Sequence, residues 1–134
     1  MPKVSKATAT AHYEAPGLMD AYQQEVDGYV VEIERWDVDT DFAFALKGLP
    51  NNQCPASHLG FVLKGSLTIQ SADGEEVFEA GDAVVLKPGH TPRVAAGTEW
   101  VMFTPTEEAN AMAPMVQANM MKYAEEHGIQ VQQG

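Results

Sequence analysis

Between Gly28 and Pro105 the chain runs in short stretches that alternate apolar and polar residues, the two-residue period of half-buried strands. In Tyr29-Val30-Val31-Glu32-Ile33-Glu34-Arg35-Trp36 this period places Tyr29, Val31 and Ile33 on a core-facing side and Glu32 and Glu34 on the other. A second alternation, Asp41 to Leu46, predicts a strand with Phe42, Phe44 and Leu46 on one face, broken by Gly48-Leu49-Pro50-Asn51-Asn52. Leu59 to Gln70 is rich in Val, Leu, Ile and Phe and is interrupted at Lys64-Gly65-Ser66. Asp73-Gly74 predicts a hairpin with a return strand over Glu75 to Glu79. Gly81-Asp82 turns the chain into the apolar run Ala83-Val84-Val85-Leu86. Pro88-Gly89-His90-Thr91-Pro92 reads as a rigid loop, and Gly97 separates Arg93–Ala96 from Thr98–Thr104. Turn signals at roughly ten-residue intervals predict a closed barrel or sandwich of antiparallel strands.

The last thirty or so residues change period. Met112, Met115, Val116, Met120 and Tyr123 fall at helical spacing, Pro114 suits a first turn, and Gly128 suits the position past the end. A methionine stripe of this kind reads first as core packing, with a pocket cover or a dimer seam as the alternative. The expected organisation is an N-terminal arm over 1–27, loose to about residue 10, a barrel over 28–105, and a helical extension over 106–134 packed on the barrel's outside.

At 134 residues the chain has the size of one domain. Eight Lys and Arg against 19 Asp and Glu give a net charge of −11, which makes nucleic acid and anionic membrane surfaces poor partners. One cysteine, Cys54, rules out an intrachain disulfide and suits a reducing cytosol. The first residues hold no apolar stretch resembling a signal peptide, so a cytoplasmic protein is expected.

The stretch from Gly48 to Pro105 resembles the cupin family on two signatures. Val62-Leu63-Lys64-Gly65-Ser66-Leu67 is similar to the hairpin that ends the family's first motif. Gly81-Asp82-Ala83-Val84-Val85-Leu86, followed by Pro88-Gly89, is similar to the opening of its second. The resemblance implies an all-β fold, the double-stranded β-helix or jelly-roll barrel, here with a C-terminal α-helix. It also implies a homodimer paired through barrel strands. The family's usual ligands are two His, a Glu and a later His. In this sequence those positions hold Asn52, Cys54, His58 and Pro92, with His90 two residues before the last. The family's standard Mn, Fe or Ni site is therefore not kept in place.

What remains is a displaced set. Residues 54, 56, 58, 60 and 62 share a face if the strand is regular, and His58 stands where the family's inward Glu would be. Cys54, His58 and His90 are soft enough to hold a divalent metal, zinc in the first place. With Glu99 in place of Cys54, the set would resemble the facial triad of non-haem iron oxygenases. The competing reading is a small buried thiol beside a hydrogen-bonded histidine pair. Arg35 shares the parity of Ile33 and could meet a carboxylate at the barrel mouth. Trp36 and Trp100 are expected as pocket walls or as packing. His12 and His127 read as surface residues. Asp37-Val38-Asp39-Thr40-Asp41 lacks the glycine and later Glu of a calcium loop. Two functions follow: a protein that binds a small molecule, with or without a metal, inside the barrel, or a dioxygenase- or isomerase-type metalloenzyme acting on a small organic acid or aromatic.

Overall fold

Eleven antiparallel strands, two 3₁₀ turns and one α-helix make up the computed structural model, which describes all of residues 1–134. In chain order the strands are β1 (Ala11–Ala15), β2 (Met19–Val26), β3 (Tyr29–Trp36), β4 (Thr40–Asp41), β5 (His58–Lys64) and β6 (Ser66–Ser71). They continue as β7 (Gly74–Glu79), β8 (Ala83–Leu86), β9 (His90–Val94) and β10 (Thr98–Pro105). Helix α1 (Thr106–Glu126) and the short β11 (Gln132–Gln133) close the chain. A seven-stranded sheet runs β11-β1-β2-β3-β10-β5-β8, and a four-stranded sheet runs β4-β9-β6-β7. Their inner faces meet in one apolar core, where Leu67, Ile69 and Val94 of the smaller sheet join Val62, Val84, Trp100 and Met102 of the larger. This is the two-sheet barrel expected from the turn spacing.

The hairpin expected at Asp73-Gly74 joins β6 to β7. Ser71 pairs with Gly74, which leaves Ala72 and Asp73 as the loop, and Gly74 takes φ 107°, a conformation that favours glycine. Gly60 is needed for a different reason. A Cβ there would lie 2.2 Å from the Val101 carbonyl oxygen and 2.4 Å from Met102 Sδ, so β5 and β10 approach closely only because no side chain intervenes.

Away from His90, four expectations differ from the structure. The larger sheet begins at Ala11, so residues 11–26, expected within an arm, are two of its strands. Phe42–Leu46 is a 3₁₀ turn, not a strand: Asp41 accepts from the Ala43 amide at 2.9 Å and caps it. Phe42, Ala45 and Leu46, at i, i+3 and i+4, then face the interior. On β3 the faces are exchanged. Glu32, Glu34 and Trp36 line the interior cavity, while Val31, Ile33 and Arg35 lie on the outer face. The outer face carries apolar residues of its own, so hydrophobicity could not tell in from out. Finally, α1 lies across the barrel's cavity and lines it with Met112, Val116 and Met120. Asn119 anchors it by donating from Nδ2 to the Ala45 and Lys47 carbonyls, each at 2.9 Å.

Gly60→Ala should push Val101 out of register and lower stability by roughly 2 kcal/mol or more. Chemical denaturation checks this; an unshifted midpoint would mean that the strands separate without strain.

Candidate metal centre

The interior encloses a cavity of about 500 Å³, within the range of small-molecule sites, and 18 of its 26 lining residues are hydrophobic. Cys54, His58 and His90 meet in its wall. Cys54 precedes β5 in an extended segment that bridges to His90: the Cys54 amide donates to the His90 carbonyl at 2.8 Å, and the Gly89 amide donates to the Cys54 carbonyl at 2.8 Å. Regular alternation along 54, 56, 58, 60 and 62 holds. Cys54, Ala56 and Val62 are buried, and Cys54 and His58 both line the cavity. His90 is not in a loop; it opens β9 and points inward.

One donor atom from each of the three residues lies within 4.8 Å of the others. Cys54 Sγ is 3.4 Å from His58 Nε2, and the two imidazoles sit edge to face with centroids 5.4 Å apart. Bonds of about 2.3 Å to sulfur and 2.1 Å to nitrogen on one tetrahedral ion would set such donors roughly 3.6 Å apart. The hydrogen bonds prepare both rings. His90 Nδ1–H donates to the Lys87 carbonyl at 2.6 Å, which leaves the lone pair on Nε2. That Nε2 is buried and has no hydrogen-bond partner. His58 Nδ1 lies 2.6 Å from Thr104 Oγ1, which turns its Nε2 toward the thiol. An orphaned inward nitrogen and two rings tied at their far sides fit a metal ion.

Burial sets the protonation of the bare cluster. It lowers His58 to about 4, with His90 adding to the effect and Glu108 opposing it. Burial also lowers His90 and raises the Cys54 thiol. At neutral pH the three are therefore uncharged, two imidazoles and a thiol, and a cation would bind by displacing the thiol proton.

The remaining expected site residues divide. Trp36 and Trp100 line the cavity. Arg35 and Glu99 do not. They are register partners on the outer face, where Arg35 Nε meets Asp37 at 2.9 Å and its Nη1 meets Asp20 at 3.5 Å. Glu99 takes Lys6 at 2.7 Å and Lys64 at 3.9 Å. Glu99 is thus no metal ligand beside His58, and a facial triad is not formed. His12 also lies outside, stacked on Tyr22 and hydrogen-bonded to Asp20. His12, Glu14 and Asp20 are close enough to hold an ion, but Asp20 is already engaged by His12 and Arg35.

Glu32 and Glu34 are the site residues that sequence reasoning turned outward. Burial raises both above their ordinary range, Glu34 well above, and the charge of Glu32 adds to the rise at Glu34. Gln23 Nε2 donates to Glu32 at 3.0 Å and pulls the other way. Strand parity was the signal that could have found them; Trp36, expected as a pocket wall, has the same parity.

No protein-family model matches the sequence, and no curated protein matches it. Solved structures do resemble the fold. A Rhizobium leguminosarum protein of unknown function is 16% identical, with a TM-score of 0.54 over 78% of this chain and 96% of its own. An RmlC-like cupin from Shewanella frigidimarina is 13% identical, with a TM-score of 0.52 over 77% of this chain and 89% of its own. A sugar phosphate isomerase of the cupin superfamily from Silicibacter pomeroyi is 13% identical, with a TM-score of 0.52 over 78% and 75%.

Replacing Glu34 by the isosteric Gln should stabilise the fold at neutral pH by roughly 1 kcal/mol or more. Below pH 4.5 the carboxyl is neutral folded or unfolded, so the gain should vanish there. As pH rises from about 4.5 toward the raised folded value, the wild type loses stability and the variant does not. Thermal melts of both proteins across this range check it; a gain that persists below pH 4.5 would have another cause.

Proposed function

The chain has the cupin fold, and from that premise we propose that it is a binding protein whose small-molecule ligand sits in the barrel beside a metal ion held by Cys54, His58 and His90. The observation that carries this reading is the buried, unpartnered Nε2 of His90, aimed at a thiol and a second imidazole. These three donors suit zinc and leave a further position for water or ligand. Iron is less suited, since the oxygen donor it would need from Glu99 lies outside the barrel.

The cavity also constrains the ligand. Its lining holds no Lys or Arg, and its carboxyls are those of Glu32 and Glu34. An anion would find only the metal to neutralise it. A sugar phosphate, the substrate class named for the Silicibacter protein, is therefore a poor fit, and a largely apolar molecule bearing an amine or another hydrogen-bond donor is a good one. One observation favours the metalloenzyme reading instead: Glu34 is a carboxyl held toward its neutral form in the cavity wall, the type of group that transfers protons.

We also propose a homodimer. Val85, Leu59 and Phe103 lie side by side across β8, β5 and β10 on the outer face, with exposures of 66%, 48% and 40%, and Phe61 beside them at 40%. A contiguous apolar row of this kind favours a second copy of the same sheet. Phe61→Lys should shift the protein to monomer in sedimentation; a wild type that sediments as a monomer overturns this.

Metal content decides the central reading. Purified protein should carry close to one soft metal ion per chain, and the His58→Ala/His90→Ala double variant should carry none while keeping its circular dichroism. Unchanged metal content in that variant would place the ion elsewhere. Turnover of amine-bearing substrates by the metal-loaded protein, abolished in Glu34→Gln, would favour the enzyme.

A further inference from the structure

Three donors leave one neighbour of the Cys54 thiol unexplained. Met112 Sδ, from the second turn of α1, lies 4.0 Å from Cys54 Sγ. It is not interchangeable with the other methionines of its stripe. Met115 packs over Gly48, and Met120 packs against the main core, whereas Met112 joins the small cluster of Leu46, Cys54 and Ala56. Its thioether therefore adds a second sulfur to the wall that holds the unpartnered Nε2 of His90 and the Nε2 of His58 that meets the thiol.

We propose that Met112 is a fourth donor and that the centre is a copper site of Cys54, His58, His90 and Met112. This rests on the three-donor reading above and narrows it. Zinc takes thiolate, imidazole and carboxylate, and a thioether adds little to it. Copper accepts all four groups, binds divalent-ion sites more tightly than zinc does, and is favoured as Cu(I) by soft sulfur donors. The spacing agrees. The thiolate–imidazole separation of 3.4 Å is shorter than the thiolate–thioether separation of 4.0 Å, which suits close donors with one longer, weaker bond to Met. The four donors come from four parts of the chain: the segment before β5, β5 itself, β9 and α1. A copper ion would thus join the helix to both sheets.

The experiment is an anaerobic competition for Cu(I) against a chromophoric Cu(I) chelator, with a parallel zinc competition, on the wild type, Met112→Leu and Met120→Leu. Leucine conserves volume and removes only the sulfur, and circular dichroism confirms the fold. Met112→Leu should weaken copper binding by about tenfold or more and leave zinc binding within about twofold. Met120→Leu should change neither. Unchanged copper affinity in Met112→Leu, or equal losses for copper and zinc, would reduce Met112 to a packing residue and overturn the proposal. Wild-type protein that binds zinc but not copper overturns it while the three-donor centre stands. Protein that binds neither overturns both.

Discussion

Alternate residues of an antiparallel strand face opposite sides of its sheet, and in this chain that constraint settles which groups meet in the cavity. On β3 it sends Glu32, Glu34 and Trp36 inward and Val31, Ile33 and Arg35 outward. On β5 and the segment before it, the same alternation carries Cys54, His58 and Val62 to one side. A slip of one residue on β3 would bring a guanidinium into the cavity and take two carboxyls out. The chemistry of the interior is thus a matter of register before it is one of composition.

The charge distribution follows from the same alternation. The basic groups nearest the barrel wall are engaged outside: Arg35 by Asp20 and Asp37, Lys6 and Lys64 by Glu99. The interior keeps carboxyls raised by burial and histidines lowered by it, so at neutral pH its groups are closer to uncharged than the surface composition suggests. Low internal polarity makes each remaining lone pair, that of His90 Nε2 above all, a stronger determinant of what binds.

Much of the fold could be read from residue patterns because turn chemistry is local. Gly65, Gly74, Gly81 and Gly97 all take positive φ, and β6, β7, β8 and β10 fall where expected, while β9 begins at His90, inside the expected loop. The parity of 54 and 58 was also legible, since a strand's period needs no tertiary information. Three of the features that were not legible show why. Phe42–Leu46 is short and apolar, and two-residue and helical periods both fit it. The inward face of β3 could not be told from its outward one, because the outer sheet face is itself apolar. Where α1 docks depends on Asn119 reaching the carbonyls of Ala45 and Lys47, 74 and 72 residues away in sequence, so Met112 gave no sign of its nearness to Cys54.

Cys54 is the chain's single thiol and is almost fully buried where the helix, β5 and β9 converge. A thiol reagent too bulky to enter the cavity can therefore reach it only through a local opening of this corner, and no other sulfhydryl contributes background. Its labelling rate, read against that of an unfolded chain, measures the free energy of that opening. The side chain proposed to anchor the metal is thus a built-in gauge of how tightly the helix closes over it.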